Sequence, residues 1–208
     1  MRAFQSALRI IGEFRRTYVV LNLVYYGLVA CGMAFVAFHP SLQQLLLGVV
    51  ASAFTEGPLS VVGSAYSGGQ LLLAMLLTFV VNLVIASVLW ITLPSLLIPF
   101  SGLLTGALRA VVWGLLLSPT TPELRIIMIP HSLTLVLEGQ GYILAMLAAY
   151  VQGKAFLWPG TVAAATRGQG YVVGMKRSLR LYLLVVVVLA AAAVYEALEV
   201  ILVIPLLS

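Results

Sequence analysis

Arg109 lies halfway along an almost uninterrupted apolar stretch, residues 94–117, in a chain that is 62% hydrophobic and 8% charged. A guanidinium in a segment long enough to cross a bilayer is costly unless a partner or water reaches it. Such a residue therefore marks either a contact that specifies a helix bundle or a path for an ion or substrate. Three carboxylates can answer it: Glu138, within PHSLTLVLEGQGYILAMLAAY, and Glu196 and Glu199 near the end of the chain. Helical spacing places Glu138, Tyr142 and Ala145 near one face. Asn22 and Asn82 occupy other apolar stretches, where an amide side chain serves as a hydrogen-bonding residue between helices. His131 follows Pro130, and the pair is expected to end a loop and cap the helix that carries Glu138. Spacing alone leaves open which glutamate faces Arg109.

Other chemistries find little support. A lone histidine is no metal site: His39 is distant in sequence, and no HExxH or CxxC supplies further ligands. Neither a GxSxG elbow nor a phosphate-binding glycine loop is present, and all six acidic residues are glutamate, so no aspartate can complete a Ser-His-Asp triad. His39, Glu56 and His131 could meet on one side for acid/base work on a lipid or cell-wall substrate, the weakest of the readings considered. Neither a cofactor nor a metal is expected. Cys31 stands alone, which rules out an intramolecular disulfide, and is expected to be a buried small apolar side chain.

The elements that must position these groups follow from hydropathy. Mean hydropathy is +1.14 over 208 residues, too high for a soluble domain of this size. The expected fold is all-α: a single transmembrane domain over 1–208, a polytopic integral membrane bundle of about five spans. Those spans are 17–38, 70–91, 94–117, 131–151 and 181–204. Between the first two, Pro40 opens an apolar segment of about 14 residues, short for a crossing, which reads as a re-entrant or interfacial helix. The second and third spans are expected to turn near residues 92–95. Residues 3–16 read as an interfacial helix or a cytoplasmic extension of the first span, with Phe4, Leu8, Ile11 and Phe14 on or near one face and pairing among Arg9, Glu13 and Arg16.

The net charge of +5 is distributed as topology. Arg2, Arg9, Arg15 and Arg16 precede the first span, and Lys154, Arg167, Lys176, Arg177 and Arg180 lie between the fourth and fifth. With five crossings both groups share one side, which the positive-inside rule makes cytoplasmic, with the C-terminus outside. Lipid headgroups, not nucleic acid, are the expected partners of these charges. A cleaved signal peptide is not expected. In the third span Gly102, Gly106, Ala110 and Gly114 recur every four residues and form a groove for close helix approach, within the protomer or between copies.

The stretch TFVVNLVIASVLWITLPSLLIPFSGLLTGALRAVVWG, with Phe79, Asn82 and the Gly102/Gly106 repeat, resembles the stage II sporulation protein M family of membrane proteins. Pro130, His131 and Glu138 are similar to that family's Pro-His-Gly entry and following glutamate, and Glu196 or Glu199 with Pro205 to its C-terminal element. Ser132 stands where glycine is usual, and Glu138 is displaced from the Pro-His pair. The resemblance implies a helper or assembly subunit of an envelope complex, with no cofactor. The leading expectation is accordingly a noncatalytic scaffold that associates with itself or with other membrane proteins. The alternative is a transporter, channel or permease subunit using Arg109 and the intramembrane glutamates. A closed ion pair at Arg109 speaks for the first, and a water-filled path touching Arg109 for the second.

Overall fold

The computed structural model describes residues 2–207; the side chain of Arg2, one of the basic residues expected before the first span, lies outside the described residues. Every regular element among them is helical. Helix α1 (Arg2–Glu13) breaks at Phe14 into α2 (Arg15–Ala37). Helices α3 (Pro40–Thr55) and α4 (Ser60–Ser67) follow, bent 85° against each other. The remainder comprises α5 (Leu71–Leu97), α6 (Ser101–Leu116), α7 (Pro122–Leu157) and α8 (Arg167–Leu206). Four helices, α2, α5, α7 and α8, are long and apolar enough to cross a membrane by length and composition. The α3–α4 pair has the form of a broken span or re-entrant loop. At 16 residues α6 is shorter, about 24 Å at the usual helical rise.

The core runs along α7, where Tyr142 to Ala149 form an unbroken buried run. Its most extensive partner is α8, while α2 packs chiefly on α6 and α5 on α8 and α7. Small residues permit these approaches. A Cβ on Gly170 or Gly174 would meet the backbone of Ala155 or Gln152, so α8 lies directly on α7. The Gly102, Gly106, Ala110 and Gly114 face of α6 is entirely buried. Gly114 meets Val29 and Gly32 of α2, Gly106 meets Met146 of α7, and Gly102 meets Ile91 and Ser95 of α5. The seam is filled by the chain's own helices.

Several expected boundaries move. The turn between α5 and α6 falls at residues 98–100, past Pro94, which sits in the first turn after a π-helical stretch, Val81–Thr92. Proline lacks the N–H that would reach back to the preceding turn, and the Trp90 carbonyl four residues earlier accepts from the Thr105 hydroxyl at 2.7 Å instead. Phe100 makes the reversal at φ 70°, a left-handed conformation unusual for a non-glycine residue. Its ring is held by Tyr150 and Trp158, with centroids 5.6 and 6.2 Å away. His131 does not cap a helix. α7 begins nine residues earlier, where the Thr121 hydroxyl accepts from the Leu124 N–H at 3.3 Å, and Pro130 and His131 lie within it. A threonine N-cap followed by Pro122 and Glu123 is the stronger start signal, and it outweighs the single helical proline.

On α1 the buried residues are Ala7, Ile10 and Phe14, whereas Phe4 and Leu8 are exposed. The helix packs on α8, and its small Ala7 fits that contact better than the bulkier stripe. Glu13 pairs with Arg177 of α8, with Arg177 Nη1 to Glu13 Oε1 at 3.0 Å, instead of with Arg9 or Arg16. Cys31 is exposed, not buried. It lies on the α2 face away from Gly32, which meets α6.

Candidate functional site

Three helices deliver the charged groups. α6 carries Arg109 at its middle, α7 carries His131 and Glu138 two helical turns apart, and α8 carries Glu196 and Glu199 near its end. α5 adds Asn82 at the start of its π stretch. π winding rotates the side chains that follow relative to an α-helix and recurs at functional positions. The Ser87 hydroxyl donates to the Asn82 carbonyl at 2.9 Å, and Tyr182 of α8 donates to the Ser87 carbonyl at 2.8 Å and contacts the Thr92 hydroxyl at 2.5 Å. A second π turn, Glu199–Val203, begins at the last glutamate.

Arg109 is not locked to a carboxylate. Its Nη2 donates to the Tyr142 hydroxyl at 2.7 Å, and its guanidinium carbon lies 4.2 Å from the Tyr142 ring centroid and 5.3 Å from that of Trp113. The ring faces take part of the charge through cation–π attraction. Its Nε is buried without a hydrogen-bond partner. Tyr142 relays the contact inward: its hydroxyl donates to Asn82 Oδ1 at 2.8 Å and lies 3.3 Å from Glu138 Oε2. The Asn82 amide donates to Glu138 Oε1. Glu138, 2% exposed, lines the same cavity as Glu196, whose Oε2 is buried without a hydrogen-bond partner.

The third glutamate is separately satisfied. Glu199, 1% exposed, accepts from Thr134 at 2.6 Å and lies 2.9 Å from His131 Nδ1. Asn22 belongs to a different network. It accepts from Gln140 at 2.7 Å and donates to its own turn at the Tyr18 carbonyl, while Gln140 accepts from the Tyr18 hydroxyl at 2.6 Å. That cluster ties α2 to α7 and has no hydrogen bond to Arg109. Of the polar residues singled out, Arg109, Asn82 and Glu138 thus form one chain with Tyr142, and Glu196 lines the same cavity. His131 and Glu199 form a neighbouring pair, and Asn22 stands apart.

Two cavities meet at Arg109. One, of about 400 Å³, is lined by Arg109, Glu138, Glu196, His131 and Asn82, together with apolar residues of α3 and α4 such as Phe54 and Val62. The other, of about 390 Å³, is almost wholly apolar and runs between α5 and α6 past Ile85, Trp90 and Leu108. Leu59, Val81, Arg109 and Trp113 border both. The bend between α3 and α4 therefore reaches the level of Arg109, in the middle of α6. Tyr66 and Thr78 also face the polar cavity, joined hydroxyl to hydroxyl at 2.8 Å. Reasoning from the sequence missed Tyr66, Thr78, Thr134 and Gln140. The last two carry a weak signal, as polar residues spaced four before and two after Glu138 in an apolar helix. Among the described residues no group of three or more His, Cys or Glu side chains could hold a metal ion.

No family model, no curated protein and no solved structure matches this chain. Asn82, His131, Glu138 and Glu196 line one cavity, and Glu199 is bonded to His131 behind it.

Proposed function

We propose that this chain is an integral membrane protein of the transporter, channel or permease class, and that the polar cavity at Arg109 is its solute site. The observation that carries the reading is an incompletely satisfied guanidinium bordering a cavity shared with two glutamates, one of which, Glu196, keeps a buried oxygen without a hydrogen-bond partner. Ionisable groups at the depth of a helix middle are costly to keep, and a protein retains them where they face a solute or ion path. The α3–α4 pair supports the same reading. A bent helix pair whose tip reaches the middle of neighbouring helices is tolerated in a bilayer where it lines a cavity. With α6 as a short fifth crossing and α3–α4 re-entrant, the basic α1 and the 152–180 region share the cytoplasmic face, and the C-terminus lies outside.

The scaffold reading drew on the glycine register of α6. That register is occupied by α2, α5 and α7, so it does not argue for a seam between copies. The test is solute-dependent current or counterflow in proteoliposomes containing the purified chain, compared with Arg109→Gln. Flux in the parent that falls in the variant is the expected result. Absence of flux across a panel of ions, organic acids and amines, with correctly folded protein, would return the scaffold to first place.

A further inference from the structure

The two sides of the polar cavity lack opposite things. Arg109 offers five N–H donors, yet only one side-chain hydrogen bond is made among the described residues, Nη2 to Tyr142, and Nε has no partner. This side calls for an anion, ideally a planar carboxylate or a phosphate that a guanidinium can fork. On the same cavity Glu196 Oε2 is buried without a hydrogen-bond partner, and no lysine or arginine lies within ion-pair distance of Glu138 or Glu196 among the described residues. Glu138 accepts from Asn82 and faces the Tyr142 hydroxyl, so the open acceptor is on Glu196 and calls for a cationic donor such as an ammonium. His131, on the same cavity, holds Glu199 through Nδ1 at 2.9 Å. The intervening walls, Val50, Phe54, Leu59, Val62, Val81 and Leu117, are apolar.

We propose that the cavity binds a zwitterion with a small apolar part, its anionic group on Arg109 and its ammonium on Glu196. The inference rests on the reading of the cavity as a solute site and names the solute's class. One molecule with both charges answers both deficits at once and enters an apolar-walled site with no net charge. A simple anion would leave Glu196 unanswered, and a simple amine would leave the guanidinium so. A volume of about 400 Å³ is at the small end of ligand sites, suited to an aliphatic α-amino acid. The same pattern of charges is carried by the headgroup of an aminophospholipid. Its acyl chain would lie in the adjoining apolar cavity, whose lining residues Trp90 and Leu108 are exposed on the outer surface.

The test is direct binding of radiolabelled L-leucine to the purified full chain in phosphatidylglycerol nanodiscs. 4-Methylpentanoate, which lacks the ammonium, and 3-methylbutylamine, which lacks the carboxylate, serve as competitors. Leucine is expected to bind, each half-ligand to compete at least about tenfold more weakly, and Arg109→Gln and Glu196→Gln each to weaken binding by about tenfold or more. Arg109→Lys, which keeps the charge and loses the fork, should retain part of the affinity, and matched thermal unfolding of all variants guards against misfolding. If leucine fails in phosphatidylglycerol while phosphatidylethanolamine is retained in an Arg109-dependent way, the zwitterion stands with the lipid as its source. If neither is bound, or a half-ligand binds as well as leucine, the inference falls. Binding without flux would remove the transport reading and leave this site. Flux of another solute, with no leucine or aminophospholipid binding, would do the reverse.

Discussion

Tyr142→Phe is the most informative single change, because one hydroxyl joins three helices. It accepts from Arg109 at 2.7 Å, donates to Asn82 at 2.8 Å and approaches Glu138 at 3.3 Å. Phenylalanine keeps the ring under the guanidinium at 4.2 Å, so the cation–π contact and the packing stay and only the hydrogen bonds are lost. Interhelical hydrogen bonds in membrane proteins average about 0.6 kcal/mol and reach about 1.7 kcal/mol. Two features put this one at the upper end: the donor is charged, for which about 1.5–3 kcal/mol is usual, and removal strips Arg109 of its bond to Tyr142 while Asn82 Oδ1 loses its donor. A destabilisation of about 2 kcal/mol follows from these terms. The assay is reversible unfolding in bicelles by denaturing detergent, run as a cycle with Arg109→Gln. The double variant should lose about 1.5 kcal/mol less than the sum of the two single losses, since both remove the same bond. A single-variant loss below about 0.5 kcal/mol, or strict additivity, would refute Tyr142 as the residue that holds Arg109.

Helix approach supplies a second prediction. A Cβ on Gly32 would stand 2.8 Å from the Val111 carbonyl oxygen and 3.1 Å from the Gly114 Cα, so Gly32→Leu should destabilise the chain by about 1–3 kcal/mol in the same unfolding assay. Gly12→Ala, where an added Cβ meets nothing within 4 Å, should be neutral or stabilising by up to about 1 kcal/mol. The Glu13–Arg177 pair is partly exposed, and Glu13→Gln should cost no more than about 1 kcal/mol, shrinking further in high salt. Cys31, exposed on a helix that reads as a membrane span, should react with a lipid-soluble maleimide in proteoliposomes and resist a charged one. Equal labelling by both, measured by mass, would place that face of α2 in water.

How far the site was legible differs residue by residue. Arg109, Glu138, Glu196 and Asn82 stood out because a charge or amide in a long apolar stretch is conspicuous whatever the fold. Tyr142 was read only as a neighbour of Glu138 on a helical face, since a tyrosine in an apolar helix has no such contrast, yet its hydroxyl is the bond that Arg109 makes. Thr134 and Thr78 were hidden for the same reason. Pro130 misled in the opposite direction. Proline is a strong break signal locally, but α7 runs through it, with the Tyr195 hydroxyl donating to the Pro130 carbonyl at 3.1 Å.

Composition and hydropathy alone determined that the chain forms long apolar helices of a kind suited to a membrane, that one arginine lies midway along such a segment, and that α6 carries a face of small residues. These follow from local quantities: the cost of burying charge, and side-chain size at a four-residue interval. Rotation about each helix axis was decided only in the tertiary structure. A helix apolar on all sides has no polar face to orient it, so periodicity says little about which residues point inward. The π turns at Val81–Thr92 and Glu199–Val203 then shift the side chains beyond them. Packing against α7 through glycine and alanine contacts settled those rotations, and with them that Arg109 meets a tyrosine and a cavity where the sequence suggested a carboxylate.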